Sequence, residues 1–290
     1  MALSGVEIFK LLPKTNCKKC GHPTCLAFAM KLAQRQVSID LCPDVSEEAK
    51  QKLGEASAPP IRPVTIGSGD RTIKMGEETV LFRHEKKFIN PCALAVEIKD
   101  TMSEGEVLKV VQDVLDSEID RVGQRLWIDA IFISNASGDG KRFEDTLRVV
   151  HGKAPQVPLI IATDNPASAE AVLKITKDIR PLLYGANETN FEAMAKVAKD
   201  MQIPLGVVAK GLEALSALTE KVKAVGIQDM VIDSGARTAK EIIADNTCIR
   251  RAAIKKGFKP LGYPIITFAQ REDAMLETCL LYTSPSPRDS

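Results

Sequence analysis

From residue 92 onward, short apolar runs alternate with amphipathic segments. The runs are apolar throughout, which is typical of strands that are covered on both faces of a parallel sheet. They predict seven strands, at residues 93–98, 130–134, 159–162, 182–184, 205–209, 230–232 and 264–268. Helical periodicity between them predicts helices at residues 104–121, 142–151, 168–177, 190–201, 211–225 and 236–256.

These repeated strand–helix units predict an α/β fold with right-handed crossovers between parallel strands. No Gly-rich dinucleotide turn follows a strand, which favours a (β/α) TIM-type barrel over an open Rossmann sheet. A closed barrel of this type has eight strands, whereas the pattern supplies seven. We therefore expect a barrel that lacks its last strand.

The N-terminal part of the chain has a different pattern. Residues 1–57 contain two short helical patterns and four cysteines, which we interpret as a separate small module. Residues 58–91 begin with a Pro-rich linker. The linker leads into three strand-like runs, at residues 64–67, 71–75 and 79–84, which predict a small β-meander. The barrel is then expected over residues 92–279.

Residues 280–290 are rich in Ser and Pro and have no periodicity. They follow an unfinished helical pattern over residues 272–280. Because the barrel also requires more chain, we expect a non-native or disordered tail on a truncated protein. An ordinary disordered tail is the alternative interpretation.

The composition excludes several classes of function. The 39 basic and 38 acidic residues nearly cancel, and only 4% of residues are aromatic, so no nucleic-acid partner is expected. No apolar run reaches the roughly 18 residues that span a bilayer, and no secretory signal is visible. We expect a cytoplasmic protein without a membrane partner. In that compartment, seven cysteines indicate metal chemistry and not a disulfide framework.

Four of the cysteines have the spacing of a metal site. The pattern is Cys17-x2-Cys20-x4-Cys25-x16-Cys42, followed directly by Pro43. A tight loop with three thiolates and a distant Cys-Pro pair is typical of an iron–sulfur cluster, and we predict a [4Fe–4S] cluster here. Structural zinc sites usually pair two short-spaced cysteine knuckles, and only one is present, so zinc is the less favoured alternative.

Other residues of the loop fit the same interpretation. Gly21 and Pro23 lie where the backbone has to turn sharply around the cluster. Lys14, Lys18 and Lys19 offset the net negative charge of four thiolates on a cluster. His22 is interpreted as a surface residue or a neighbour of the ligands.

The remaining cysteines and histidines give weaker signals. Cys92 and Cys248 are expected to be buried, inert thiols, and Cys279 adjoins the unusual tail. His84 and His151 are interpreted as structural residues. No Ser/His/Asp or Cys/His set is apparent, so no catalytic residue is assigned.

Polar residues follow almost every predicted barrel strand, at the end of the barrel where chemistry is usual. They are Asp100, Asn135, Ser137, Asp139, Thr163, Asp164, Asn165, Asn187, Lys210, Asp233 and Ser234. Their oxygens are suited to bind a heterocycle such as a pterin, the amide fringe of a corrin, or a partner protein. For any single residue, helix capping after a strand is the favoured interpretation.

The residues from Asn16 to Cys25, the Cys42-Pro43 pair and the barrel that follows resemble a known family. It is the large (gamma) subunit of the corrinoid iron–sulfur protein of the CO dehydrogenase/acetyl-CoA synthase complex. The resemblance covers about residues 1–279. It implies that Cys17, Cys20, Cys25 and Cys42 hold the cluster.

The resemblance also implies a function. A cobalamin, in a C-terminal domain that this chain lacks, carries a methyl group from a methylated pterin to acetyl-CoA synthase. The iron–sulfur cluster reductively activates the cobalt. The implied partners are a small (delta) corrinoid subunit, a pterin methyltransferase and acetyl-CoA synthase. Two alternatives stay open, an electron-transfer subunit without a corrinoid and a pterin-binding methyltransferase barrel.

Overall fold

The structure is a computed structural model, and the chain divides into two compact units, Met1–Pro59 and Pro60–Ser290. The structure describes residues 5–33, 37, 41–46, 59–81, 85, 89–176, 178–270 and 274–283. Among these residues, no helix is long and apolar enough to cross a membrane.

The first unit is built on two short helices, α1 (Gly5–Leu11) and α2 (Cys25–Ala33). The helices pack closely, because Gly5 lies against Met30 and a Cβ there would collide with it. The described core of this unit consists of Ile8, Leu12, Cys25, Phe28, Ala29, Leu32, Cys42 and Val45. Two of the four predicted ligands therefore belong to the core itself.

The second unit begins with an antiparallel hairpin, β1 (Val64–Ile66) and β2 (Ile73–Met75). The predicted meander has a third strand at residues 79–84, but residues 79–81 form none. Residues 82–84, with His84, lie outside the described residues. Gly67 N–H donates to the carbonyl of Arg180, two residues before a barrel strand, at 2.7 Å. The hairpin therefore covers the N-terminal end of the barrel.

The main sheet has six parallel strands, and the chain also forms a small hairpin between the first two of them. In chain order the strands are β3 (Ala95–Lys99), β4 (Ile119–Arg121), β5 (Gln124–Leu126), β6 (Ala130–Ser134), β7 (Leu159–Ala162), β8 (Leu182–Ala186), β9 (Leu205–Val208) and β10 (Met230–Asp233). The sheet order is β3-β6-β7-β8-β9-β10, and β4 pairs only with β5. Each strand of the sheet thus lies beside its predecessor, as in a (β/α) barrel and unlike a doubly wound sheet.

Helices connect successive strands of the sheet. They are α3 (Glu104–Leu115), α4 (Gly140–Lys153), α5 (Pro166–Leu173), α6 (Phe191–Asp200), α7 (Leu212–Val225) and α8 (Ala239–Arg250). A π-helical turn, Arg251–Lys255, continues α8. A last helix, α9 (Ala274–Thr283), extends past the predicted end of the helical pattern at residue 280, and residues 284–290 lie outside the described residues.

The predicted seventh strand is reduced to a single bridge. Ile265 pairs in parallel with Ile232 of β10. Two backbone hydrogen bonds, from Ile232 N to Pro264 O (2.9 Å) and from Ile266 N to Ile232 O (3.0 Å), support the bridge. The segment therefore occupies the expected place next to β10, with fewer paired residues than the sequence pattern predicts.

Contacts across the interior show that the sheet curls. Phe132 of β6 contacts Phe268, which follows the bridged segment, with ring centroids 5.3 Å apart. The two strands are five positions apart in the sheet order, about 24 Å in a flat sheet. Tyr184 of β8 touches both rings. The predicted architecture, an N-terminal module followed by a TIM-type barrel, is confirmed.

Two apolar layers lie on the two faces of this sheet. Ile98, Ile131 and Ile161 face the outer helices, where Phe143 and Leu147 of α4 pack against them. Phe132 and Tyr184 face the interior, together with Val64 and Ile66 of the covering hairpin. Burial on both faces explains why the strands are apolar throughout.

One predicted helix is too long. The pattern predicts a helix over residues 104–121, but α3 ends at Leu115. Ser117 ends it, because its hydroxyl donates to Val114 O at 2.7 Å and accepts from Ile128 N at 3.0 Å. The next residues form the β4–β5 hairpin, which the sequence pattern did not indicate.

Candidate metal centre

The four predicted ligands lie in the first unit. Two are in the loop after α1, one begins α2, and one directly precedes Pro43. Cys17 and Cys20 are half-buried in the loop after α1, Cys25 is the first residue of α2, and Cys42 is buried just before Pro43. All four are free thiols in the structure. The loop therefore supplies two half-buried ligands, whereas the core holds the other two.

The backbone of this loop repeatedly enters the left-handed region. Lys14 has φ 58°, Asn16 48°, Lys18 62° and Gly21 78°. Only Gly21 adopts such a conformation without steric cost. Residues of alternating handedness turn successive N–H groups to one side and form a concave site that favours anions. A cluster held by four thiolates is such an anion.

Two side chains fix the start of α2 against the loop. Asn16 Oδ1 accepts a hydrogen bond from Cys25 N–H at 2.8 Å, and Thr24 Oγ1 accepts one from Ala27 N–H at 3.1 Å. Cys25 is thus held at a helix N-terminus, where the peptide dipoles stabilise a thiolate. Sequence reasoning did not single out Asn16 or Thr24 for this role.

The electrostatics of Cys42 indicate that the four sulfurs are neighbours. Burial raises the pKa of its thiol, and the charges of Cys20, Cys17 and Cys25 raise it further. The N–H of Asp44 donates a hydrogen bond to the Cys42 sulfur, which acts in the opposite direction. A negative charge is therefore costly here until a metal or nearby cations offset it.

One cation is held beside the sulfurs. Lys19 Nζ lies 3.1 Å from Asp44 Oδ1. The pKa of Lys19 is raised mainly by this hydrogen bond and charge, and in smaller part by Cys17 and Cys42. His22 packs against Phe28, with ring centroids 5.5 Å apart.

The fit of this site to a cluster rests on the donor set. Among the described residues, no group of three or more His, Cys, Asp or Glu side chains is arranged to hold one metal ion. A cluster of several iron and sulfur atoms stands between its ligands, so its thiolates do not have to converge on one point. Four thiols on and around one small core, a loop with several left-handed residues and a helix N-terminus suit such a cluster. The ligand assignment stays a prediction.

The other cysteines lie apart from this site. Cys92 is half-buried, and its thiol lies 3.8 Å from the carbonyl of Ala93. Cys248 is exposed on α8, so the expectation that it is buried is wrong. Helical periodicity around it does not define which face of α8 meets the sheet. The side chain of Cys279 lies outside the described residues.

The polar residues at the strand ends mostly fix their own loops. In each of five cases a side-chain oxygen accepts from a backbone N–H nearby in the fold, at 2.8 to 3.0 Å. These residues are Asp100, Asp139, Asn165, Asn187 and Asp233. The favoured interpretation, helix capping, is confirmed for Asp139 and Asn165, which cap α4 and α5. Asp100, Asn187 and Asp233 bind loop N–H groups without capping a helix, and Asp164 and Lys210 are exposed.

Asn135 differs from these residues. Its Nδ2 donates to Thr163 Oγ1 at 3.3 Å, while its Oδ1 is buried without a hydrogen-bond partner in the described part of the chain. His151 has the expected structural role, because its Nε2 lies 3.4 Å from Asp178 Oδ1.

A buried network at the same end of the barrel includes two residues that sequence reasoning missed. Tyr184 Oη donates to Asp233 Oδ2 at 2.5 Å, and Arg237 binds both carboxylate oxygens at 2.8 and 3.1 Å. Burial and the charge of Asp233 raise the pKa of Tyr184 well above its ordinary value. The Arg237 guanidinium lies 4.7 Å from the centre of the Phe268 ring. In the sequence, one feature indicated this network, namely the spacing of four residues between Asp233 and Arg237.

Comparisons with known proteins identify the family to which this chain belongs. A family model described as "CO dehydrogenase/acetyl-CoA synthase delta subunit" matches residues 63–277, which include the covering hairpin and the barrel. The chain belongs to this family. A second family model, described as "Putative Fe-S cluster", matches residues 12–43, and this range includes all four cysteines.

Curated relatives of this chain carry large-subunit or gamma-subunit names. It is 44% identical, over 92% of its length, to the corrinoid/iron-sulfur protein large subunit of Moorella thermoacetica. It is 36% identical, over 91% of its length, to the acetyl-CoA decarbonylase/synthase complex subunit gamma of Methanocaldococcus jannaschii. The resemblance found in the sequence is confirmed.

The chain spans 59% and 55% of the lengths of these two relatives. Among solved structures, a mandelate racemase/muconate lactonizing protein from Herpetosiphon aurantiacus matches with a TM-score of 0.44 and 16% identity. That match covers 88% of this chain and 64% of the other. The assignment of the barrel rests on strand order and interior contacts, and not on this remote likeness.

Proposed function

We propose that Cys17, Cys20, Cys25 and Cys42 hold a [4Fe–4S] cluster. The observation that carries this proposal is the placement of Cys25 and Cys42, which are buried in one small core with Cys20 packed against it. The match of residues 12–43 to an iron–sulfur family model supports it independently. When bound, the cluster supplies one-electron redox chemistry.

The residues around the ligands have defined roles in this proposal. The N-terminus of α2, which begins at Cys25, would stabilise the negative charge of that thiolate. Lys19, which is held by Asp44, contributes positive charge close to Cys17 and Cys42. These groups offset the negative charge of the thiolates and favour the reduced cluster.

We further propose that the chain is part of a corrinoid iron–sulfur protein large subunit. In this role it takes part in moving a methyl group from a methylated pterin to acetyl-CoA synthase. The cluster provides the electron that returns an inactive cobalt to its working state. The names of the relatives in Moorella thermoacetica and Methanocaldococcus jannaschii support this role. The proposed partners are a small corrinoid subunit, a pterin methyltransferase and acetyl-CoA synthase.

The strand-end residues do not favour the alternative of a pterin-binding barrel. Asp100 and Asp233 are buried and already accept hydrogen bonds from the protein. A pterin would have to break these bonds to use the same oxygens. An electron-transfer subunit without a corrinoid uses the same four cysteines and differs only in its partner.

Iron analysis of the full chain tests the cluster. After anaerobic reconstitution, we expect about four irons per chain and a low-temperature EPR signal on reduction. Cys42→Ser and Cys25→Ser should lose most of the iron. The matched controls Cys92→Ser and Cys248→Ser should keep it, because these cysteines lie outside the site. Stoichiometric zinc without iron, or equal iron loss in all four variants, would contradict the proposal.

The corrinoid role is tested by association. Size-exclusion chromatography of the cluster-loaded chain with a purified small corrinoid subunit should give a joint peak that contains both polypeptides together with iron. A loaded chain that elutes separately from that subunit would favour the electron-transfer alternative.

A further inference from the structure

A cavity of about 460 Å³ lies in the second unit, where the end of α8 meets the chain that leads into the barrel. It is lined by Leu81, Thr247, Arg251, Lys255 and Lys256. Its volume falls within the range of about 300–1,000 Å³ that is typical of small-molecule sites. Three of the five lining side chains are cations and none is a carboxylate, so the cavity is suited to an anion.

The π-helical turn Arg251–Lys255 brings the three cations together. In an α-helix, Lys255 would lie beside Arg251, but Lys256 would lie about 140° away around the helix axis. Here the N–H of Lys256 donates to the carbonyl of Arg251, five residues earlier. Because this turn is wider, Lys255 and Lys256 both come to lie one turn after Arg251 and flank it. Such turns are rare, and they occur frequently at functional sites.

The other two lining residues add a hydroxyl and an apolar wall. Thr247 lies one helical turn before Arg251, on the same face, and its hydroxyl is a hydrogen-bond donor. The buried Arg250 holds the opposite side of the cavity, because its Nη2 donates to the carbonyl of Val80 at 3.0 Å. Leu81, the next residue, is 7% exposed. The cavity therefore has a cationic side and an apolar side.

The positive charge at this cavity is only partly compensated. Residues 250–259 contain five basic residues and no acidic residue, in a chain with a formal net charge of +1. Glu85 Oε1 lies 3.8 Å from Lys255 Nζ, and Glu85 Oε2 accepts a hydrogen bond from Leu81 N–H at 3.0 Å. Arg251 and Lys256 are exposed and form no ion pair with the residues that the structure describes. Both are therefore accessible to a ligand.

We propose that this cavity binds a small molecule that bears a diphosphate group. Guanidinium and ammonium groups make strong, charge-assisted hydrogen bonds to phosphate oxygens, and a diphosphate has enough negative charge to match several cations. The diphosphate lies against Arg251, Lys255 and Lys256, and the rest of the ligand lies against Leu81. The inference goes beyond the proposed function and does not depend on the cluster, because all of these residues belong to the second unit.

Calorimetric titration of the full chain with inorganic pyrophosphate tests the site. We expect one saturable site per chain at low salt, with an affinity that falls as salt is added. Arg251→Ala/Lys256→Ala should raise the dissociation constant by about tenfold or more, because charge-assisted contacts are lost. Thr247→Val removes the hydroxyl alone and should raise it by about threefold.

The control removes the same two types of charge elsewhere. Arg121→Ala/Lys223→Ala replaces two exposed side chains that do not line the cavity, and it should keep the original dissociation constant. Equal losses of affinity in both double variants would show a general effect of net charge and overturn the proposal. It would also be overturned if the unmodified chain bound no pyrophosphate, or if Arg251→Ala/Lys256→Ala bound it normally.

Chemical protection of lysines locates the bound ligand. Acetylation by a water-soluble N-hydroxysuccinimide ester, measured by mass spectrometry, should become slower at Lys255 and Lys256 when pyrophosphate is saturating. The exposed Lys223 should react at its original rate. Protection of Lys223 to the same extent, or unchanged rates at Lys255 and Lys256, would contradict the assigned site.

Competition for bound pyrophosphate tests the class of ligand. ADP carries its diphosphate on an organic group and should displace pyrophosphate, whereas adenosine and sulfate at the same ionic strength should not. Displacement by sulfate as effective as that by ADP would indicate a site for any small anion. Failure of ADP to displace pyrophosphate would indicate a site for an inorganic anion only. Either result would overturn the proposal of a diphosphate-bearing small molecule.

Discussion

At the residue scale, the cysteine loop contains left-handed backbone conformations that the sequence did not predict. Gly21 takes the left-handed conformation expected of a turn residue, but Lys14, Asn16 and Lys18 do so as well. Such conformations cost free energy in residues with a Cβ, and Asn tolerates them better than most. Asn16 also gives its side-chain oxygen to Cys25 N–H. It is therefore a positioning residue for the predicted ligands.

Asn16→Ala should weaken retention of the cluster. It removes a hydrogen bond worth about 1 kcal/mol and adds about 1 kcal/mol of left-handed strain. We expect iron loss to a chelator to become about tenfold faster, measured by the decay of the cluster absorbance. Asn16→Asp keeps the acceptor and should resemble the unmodified chain, whereas Asn16→Gly should be intermediate. Unchanged iron loss in Asn16→Ala would refute this role.

At the scale of elements, the β4–β5 hairpin begins within residues 104–121, for which helical periodicity predicted a single helix. Its two-residue turn consists of Val122 and Gly123, both with positive φ (54° and 77°). Turns of this kind match the twist of the paired strands and favour Asn-Gly over any β-branched residue. A valine at the first position is a poor turn signal, which explains why the sequence did not reveal the hairpin.

Val122→Asn should stabilise the barrel unit by about 1 kcal/mol, because asparagine relieves the strain of a β-branched residue at positive φ. Val122 is almost fully exposed, so the substitution loses little packing. Urea unfolding followed by the fluorescence of Trp127, the single tryptophan, measures the change. Gly123→Ala should shift the midpoint in the opposite direction. A lower midpoint for Val122→Asn would disprove the assignment of the turn.

At the scale of the whole molecule, the interior rings decide the shape of the second unit. Parallel strands in sequential order are compatible with an open or a curled sheet. Phe132, Tyr184 and Phe268 meet in edge-to-face contacts although their strands are separated along the sheet. The interior is therefore a packed core, and the described structure brings strands two and seven of the barrel together.

This closure predicts energetic coupling between Phe132 and Phe268. Phe132→Ala should destabilise the chain by about 3–5 kcal/mol, and Phe268→Ala by less because Phe268 is partly exposed. In the double variant, the two losses should fall short of additivity by about 0.5–1.5 kcal/mol. Phe132 and Phe143 lie on opposite faces of the sheet and should be additive. Additive losses for Phe132 and Phe268 would indicate an open sheet.

The sequence by itself determined the order of the elements, the barrel class and the four cysteines. Apolar runs specify strands that are buried on both faces, and cysteine spacing is a local property of the chain. The family resemblance rested on the same local patterns, and the matches to residues 12–43 and 63–277 confirm it.

Only the tertiary structure decided how these parts are used. It joined Asp100 to Ser137 in the loop after β6, exposed Cys248, and reduced the seventh strand to the Ile232–Ile265 bridge. It also placed the side chain of Asn16 against the backbone of Cys25. These features depend on contacts between residues distant in sequence, which periodicity and spacing along the chain do not specify.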